Sequence, residues 1–280
     1  MKLPLHCLPP DDRCLFAFKG ADAERYLNGQ LTQNVRDLSD HALPACVTDA
    51  KGRLQAFVHV FRGEDDAIWI EAPVEQEEEL EARLTRYLIA DDVEVENLTG
   101  SWRLAHLIDP DPSATLPAGI ARRCARVGAD GIDLWLPADR MPELAPISAA
   151  EAETRRITAR IPAWGRELTP GMLPPEAGLD RSAISYHKGC YIGQEVLSRI
   201  KTAGRLNRRL AAFLVDPDAA PGDLLGSGDD RPVGQLTSVA PWPNEAGTHA
   251  ALGYLDKSAF DAVELPVAGK TGIARVLGFV

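Results

Sequence analysis

The sequence predicts an α+β protein that ends in a small antiparallel β-sandwich or barrel. Two patterns predict it. Up to Val95, strand-like apolar runs are separated by segments whose apolar residues recur at helical spacing. After Arg205, five short apolar runs follow at turn-length intervals with glycine and proline clusters between them. A third observation bounds the class: no apolar run approaches the ~20 residues that span a bilayer.

Residues 14–18 (CLFAF) read as a strand. Gly20 opens a helix over 21–31, with Ala23, Leu27 and Leu31 at i, i+4, i+8. Residues 54–61 alternate as a strand, and 67–71 follow after the turn at 63–66. The clearest helix is 75–88: Leu80, Leu84, Tyr87 and Leu88 make one stripe, and Glu79 lies four residues before Arg83. With a strand at 93–95, this β-β-α-β order implies a unit built on an antiparallel sheet. Residues 102–108 and 131–136 are further strands; in the second, Ile132, Leu134 and Leu136 alternate with Asp133 and Trp135. Ser148 and Glu151 form a capping-box pattern for a helix to Ala159. Pro162 and the prolines of 170–175 then impose a long loop. The last part holds strands at 210–215, 233–239, 248–255, 263–267 and 273–277, punctuated by PGD, GSGDDRP and PWPNEAG. A domain boundary falls near 201–205, where this texture begins.

At 280 residues the chain suits one large domain or two to three small ones. Its 45% hydrophobic and 25% charged residues are ordinary for a globular protein, and its first residues lack a signal-peptide core, so a cytoplasmic protein is expected, with no membrane partner. The five cysteines (Cys7, Cys14, Cys46, Cys124, Cys190) are scattered and never in a C-x-x-C pair. That argues against a disulfide framework and a closed zinc site, and one thiol alone cannot hold an iron–sulfur cluster. A net charge of −11 argues against direct nucleic-acid binding. Between His187 and Arg209, however, six cations face the single acid Glu195, a local charge of +5. This stretch suits a small anionic ligand or acidic partner, or is simply a solvated face.

The most informative stretch is KGCYIGQE, Lys188 to Glu195. Cys190 stands between Gly189 and Gly193, after Lys188 and ahead of Arg199; nearby cations favour the reactive thiolate. Glycines let backbone turn sharply or approach a ligand. His187 is three residues away, which is not the spacing of a Cys–His hydrolase pair.

With its flanks, the segment from Trp164 to Phe213 resembles the YgfZ family of folate-binding proteins, a branch of the fold shared with the glycine-cleavage T-protein, an aminomethyltransferase. The family pattern K-G-C-[FY]-x-G-Q-E falls on Lys188 to Glu195 without departure. The residues Glu167-Leu168-Thr169, Leu173-Pro174, Glu176 and Gly178-Leu179 match upstream, and LNGQLTQ (27–33) and DAKGR (49–53) match in the N-terminal half. The resemblance implies a T-protein-like three-domain arrangement around a folate channel. A ferredoxin-like folate-binding domain (14–95) would be inserted in an α+β domain (1–13 and 96–200) that ends in the cysteine motif. A C-terminal β-barrel (201–280) would follow.

Two departures bear on activity. Where the T-protein carries a catalytic aspartate, 52–57 (GRLQAF) has no carboxylate. Where a T-protein glutamate holds the pterin, Thr158 stands here and cannot offer a charged acceptor. Aminomethyl transfer is therefore the alternative reading. The main one is a tetrahydrofolate-binding protein that supports iron–sulfur cluster assembly or repair through Cys190, with client or assembly proteins as partners. Lys188 and Arg199 would favour the thiolate or attract the glutamate tail of folate. Tyr191, Gln194 and Glu195 would organise the loop or meet the ligand, Glu195 being equally placed as a helix first-turn acid. Gln30, Thr32 and Asn34 would line the folate channel or cap the end of helix 21–31, with capping the better role for Asn34.

Overall fold

In the computed structural model, which describes residues 6–110, 115–128, 131–142, 144–226 and 231–280, a two-residue strand β1 (His6–Cys7) precedes the first structural unit. That unit runs β2 (Arg13–Lys19), α1 (Ala23–Gln30), β3 (Leu43–Thr48), β4 (Leu54–Arg62), β5 (Ile68–Pro73), α2 (Glu77–Thr85) and β6 (Glu94–Asn97). The sheet order is β3-β4-β5-β2-β6, with every neighbouring pair antiparallel. Because β5 opposes both β2 and β4, those two strands run the same way on either side of it. This is the split βαβ arrangement of ferredoxin-like units, with β3 added at one edge. The expected strand and helix at 14–31 and the β-β-α-β order over 54–95 are present, and one strand, β3, is added between them. The missed strand β3 carries Pro44, and an edge strand is where a sheet tolerates a missing N–H.

Both helices cover one sheet face, burying Phe16, Phe18, Leu27, Val58, Leu80 and Leu84 in a common core. The predicted helix 75–88 is shorter than its stripe: a 3₁₀ turn at Val74–Gln76 leads into α2, which stops at Thr85 and leaves Tyr87 exposed. Arg83 does not pair with Glu79. Its guanidinium turns inward to Gln30, Gln55 and the Thr48 carbonyl.

The opposite face packs on a second sheet, β10-β1-β7-β9-β8, made of β1 with β7 (Trp102–Ile108), β8 (Ile120–Arg123), β9 (Gly131–Pro137) and β10 (Ala145–Pro146). Phe61 stacks on Trp135 at 5.8 Å, and Trp69 meets Trp102 edge-on at 4.9 Å. Within this apolar seam lies a buried ionic cluster. Glu71 takes Arg13 and Arg126, each at 2.6 Å, and Asp133 takes Arg126 and the ring of His106. His59 Nδ1 lies 2.7 Å from Glu71 at ion-pair distance but without hydrogen-bond alignment.

Helix α3 (Ala149–Thr158) starts at Ser148, whose Oγ accepts from the Glu151 N–H at 3.1 Å. The capping box is half-formed, since Glu151 binds Arg155 instead of reaching back. A long loop with a 3₁₀ turn at Pro174–Ala177 leads to α4 (Gln194–Ala203). The rest is a six-stranded antiparallel sheet, β12-β13-β14-β11-β16-β15. Its strands are β11 (Arg208–Val215), β12 (Leu224–Leu225), β13 (Gly234–Val239), β14 (His249–Asp256), β15 (Glu264–Pro266) and β16 (Ile273–Phe279). A Leu225–Val267 bridge, with N–H bonds from Gly226 to Pro266 and from Ala268 to Leu224, joins the two ends into a barrel. Residues 227–230 of the GSGDDRP turn lie outside the described residues. No helix among the described residues is long and apolar enough to cross a membrane.

Candidate functional site

The cysteine motif is a loop clamped onto the N-terminal unit. Helix α1 ends at Gln30 with Leu31 extended, so its last carbonyls have no intrahelical partner. The Lys188 ammonium fills that gap, donating to the carbonyls of Asn28 (2.6 Å), Leu31 (2.8 Å) and Gln33 (2.7 Å). A cation at the negative end of a helix is favoured by the macrodipole. Burial nevertheless pushes this ammonium down to about 7. Lys188 also sits 5.2 Å from the centre of the Tyr191 ring, which packs with Ile184 and Leu197. Lys188 therefore caps a helix, with its ammonium on main-chain carbonyls.

The next residues are gripped from the other side. The Thr48 hydroxyl donates to the Ile192 carbonyl at 2.6 Å, and the Ile192 N–H donates to Gly29. Gly193 adopts φ +89 as the N-cap of α4, and a Cβ there would come 2.6 Å from the Asp49 carbonyl. Asp49 shapes its own turn by accepting the Lys51 and Arg53 N–H groups on Oδ1. Gly193→Ala is therefore expected to cost about 2 kcal/mol or more, from a left-handed backbone and a backbone clash together. A denaturant midpoint equal to wild type would contradict this.

LNGQLTQ joins the same assembly. Thr32 is fully buried; its hydroxyl donates to the Ala183 carbonyl and accepts from the Cys46 N–H. Gln33 donates to Ser182 and Pro44, and Gln30 accepts from Arg83. Asn34 does cap, but at the start of the following 3₁₀ turn (Val35–Asp37), not at the end of α1. Motif residues far apart in sequence thus meet here, bound largely through main-chain carbonyls.

What the loop presents outward is Cys190. Of the five cysteines it alone is exposed. Burial pushes the thiols of Cys14 and Cys46 up to about 12 and raises those of Cys7 and Cys124. Gly189 and His187 are exposed beside it, and the Gln194 N–H closes the turn onto Tyr191. Glu195 and Arg199 pair with each other at 2.8 Å on an outer face of α4, with Glu195 84% exposed at its side chain. Both are helix-surface residues, and the charge of Arg199 is met by Glu195. Elsewhere in the basic stretch, Lys201 covers Tyr186, Arg208 binds Glu176 and Tyr254, and Arg209 stacks on Phe279, while Arg205 is exposed and makes no ion pair among the described residues.

Two polar atoms near the motif lack partners. The hydroxyls of Tyr186 and Tyr191 are buried and unbonded among the described residues. Burial pushes the Tyr191 phenol up to about 12 and raises that of Tyr186, so both stay protonated donors. Of the acids nearby, Asp180 lies close enough to Tyr186 to raise its phenol further. Glu167 accepts from Arg156, the Ala163 N–H, Thr237 and Ser238, which uses both of its oxygens. Thr158 is exposed at the end of α3, and Gln55 accepts from Arg83. Sequence reasoning missed Thr48, Asp49 and Arg83, although two of them lie in or beside the DAKGR segment.

No family model matches the chain. It is 30% identical over 240 residues to the tRNA-modifying protein YgfZ of Shigella dysenteriae serotype 1 (strain Sd197), covering 75% of this chain and 72% of that protein. The crystal structure of glycine cleavage system aminomethyltransferase T from Bartonella henselae superposes on it with a TM-score of 0.80 and 16% identity. That match covers 100% of this chain and 86% of the other, and it establishes a shared fold.

Proposed function

The chain belongs to the YgfZ family, and from that premise we propose that it is a cytoplasmic tetrahydrofolate-binding protein that supports iron–sulfur cluster assembly or repair through Cys190. The observation that carries the reading is the contrast within the motif. Lys188, Ile192 and Gly193 are fixed to the N-terminal unit and Tyr191 packs inward on Ile184 and Leu197, while Cys190 among them faces solvent. A rigid loop that displays one thiol suits delivery to a partner protein more than turnover in a closed pocket.

The residues present fit a folate in one respect and depart in another. Two protonated, unpartnered phenols beside the motif can donate to a heteroaromatic ring. The charged acceptor that the resemblance would place on a pterin amino group is replaced by Thr158, and Glu167 is saturated. Recognition would rest on Tyr186, Tyr191 and main-chain groups. Aminomethyl transfer is disfavoured by the same facts, together with Gln55 in place of a carboxylate.

The relative's name attaches that protein to tRNA modification. With a net charge of −11 and Arg199, Lys201, Arg208 and Arg209 already paired with acids or aromatic rings, this chain would contribute to such a process through a protein client, not by gripping RNA. Calorimetric titration with reduced folates tests the reading. Wild type and Cys190→Ala are expected to bind equally, with cluster-dependent client activity lost only in the variant. Absence of binding by wild type at near-millimolar ligand would sink the folate assignment.

A further inference from the structure

Beside the motif, between β4 and α2, lies a groove of about 390 Å³. Its floor includes Gln76, which is 4% exposed and has neither carboxamide atom hydrogen-bonded among the described residues. Gln76 stands at the N-cap position of α2 but makes no cap bond. A buried amide without partners is unfavourable, so a group that satisfies both its donor and its acceptor would bind there.

The walls carry charge. Arg83 is fixed by three neutral acceptors, Gln30, Gln55 and the Thr48 carbonyl, which leaves its positive charge uncompensated. Arg86 rests 5.7 Å from the centre of the Tyr87 ring and makes no ion pair among the described residues. The exposed acid Glu79 completes the rim. Guanidinium groups select carboxylates by fork geometry, the floor amide selects a peptide-type group, and Glu79 accepts an N–H while disfavouring a compact polyanion.

We propose that this groove binds a γ-glutamyl chain, in which amides alternate with carboxylates, and that it holds the glutamate tail of a folate. The assignment to a folate tail rests on the function proposed above; the chemistry of the groove does not. The groove is connected to the motif, since Arg83 holds the Thr48 carbonyl and the Thr48 hydroxyl holds Ile192. A ligand there would rest against the residues that position the Cys190 loop.

The test compares four probes on the full chain: tetrahydrofolate with one glutamate, tetrahydrofolate with three, free tri-γ-glutamate and glutathione. Binding is read by calorimetry and by the Gln76 side-chain amide resonance. The triglutamate folate is expected to bind about tenfold more tightly than the monoglutamate. Gln76→Leu and Arg86→Ala should each abolish that difference. Gln76→Leu should fold normally, because it replaces an unpaired buried amide by a hydrocarbon of similar shape. If the free peptides shift the Gln76 resonance while neither folate binds, the γ-glutamyl site stands and the folate reading falls. Equal affinity for both folates with no response of Gln76 to either peptide overturns the site, whether or not folate binds elsewhere.

Discussion

Lys188→Met should destabilise the protein by about 2–4 kcal/mol and loosen the cysteine loop, because three main-chain carbonyls at the end of α1 lose their common donor. The effect should depend on pH in a defined direction. Burial lowers the folded-state value of Lys188 to about 7, while the unfolded chain keeps the ordinary value of 10.5. Between those values the unfolded state binds more protons, so the stability that this residue contributes rises with pH and is lost as pH falls through about 7. The penalty of the substitution is therefore larger near pH ~9 than near pH ~6. Urea midpoints of wild type and variant across that range measure it; a constant difference would show that Lys188 does not titrate with folding. Limited proteolysis would report the loop, with faster cleavage within 186–193 in the variant.

Glu71→Gln should be costlier still, by about 3–5 kcal/mol at neutral pH, since it leaves Arg13 and Arg126 facing a neutral group in a buried seam. Burial alone would raise the Glu71 carboxyl, but Arg126 and then Arg13 more than offset it and hold it well below the usual range. Asp133 is lowered in the same way, with Arg126 and His106 opposing its burial. The sign is opposite in origin to a raised group: these carboxylates contribute stability that is fully present above the ordinary carboxylate range and is lost as pH falls toward their folded values. Wild type should lose stability steeply in acid as both carboxylates take up protons, and Glu71→Gln should show a shallower acid limb from a lower plateau. Identical acid limbs would mean that the cluster does not link the two sheets energetically.

The parts of the fold that were legible in the sequence are those where one face is buried and the pattern is local. Strand 102–108 and the capped helix after Ser148 follow that rule, and so do the main strands of the barrel. What escaped depended on tertiary context. β3 was hidden by Pro44, which only an edge position tolerates, and β1, β10 and β12 are two residues each, too short for any period to register. In the site, the motif and its N-terminal matches were readable as letters, but their contacts were not. Lys188 looks like a cation placed for Cys190, whereas its acceptors are backbone carbonyls, which every residue carries and no sequence distinguishes. Arg83 likewise fits a helical pair with Glu79 until the fold offers it buried acceptors. Glu71 was placed in a strand, yet its partners come from β2 and from the loop before β9, and only the packing of two sheets brings them together.

The split second sheet constrains the order of assembly during synthesis. β1 emerges from the ribosome ahead of its partners Leu107 and Ala145, which appear only after the whole ferredoxin-like unit has been made. That unit contains all the strands of its own sheet and can close early, while His6–Cys7 waits unpaired. Translation must therefore pass beyond Pro146 before β1 is paired on both sides, and Lys188 reaches the end of α1 later still. The cysteine loop is thus installed on a platform that already exists, so a chain arrested before residue 188 would carry the platform without its thiol.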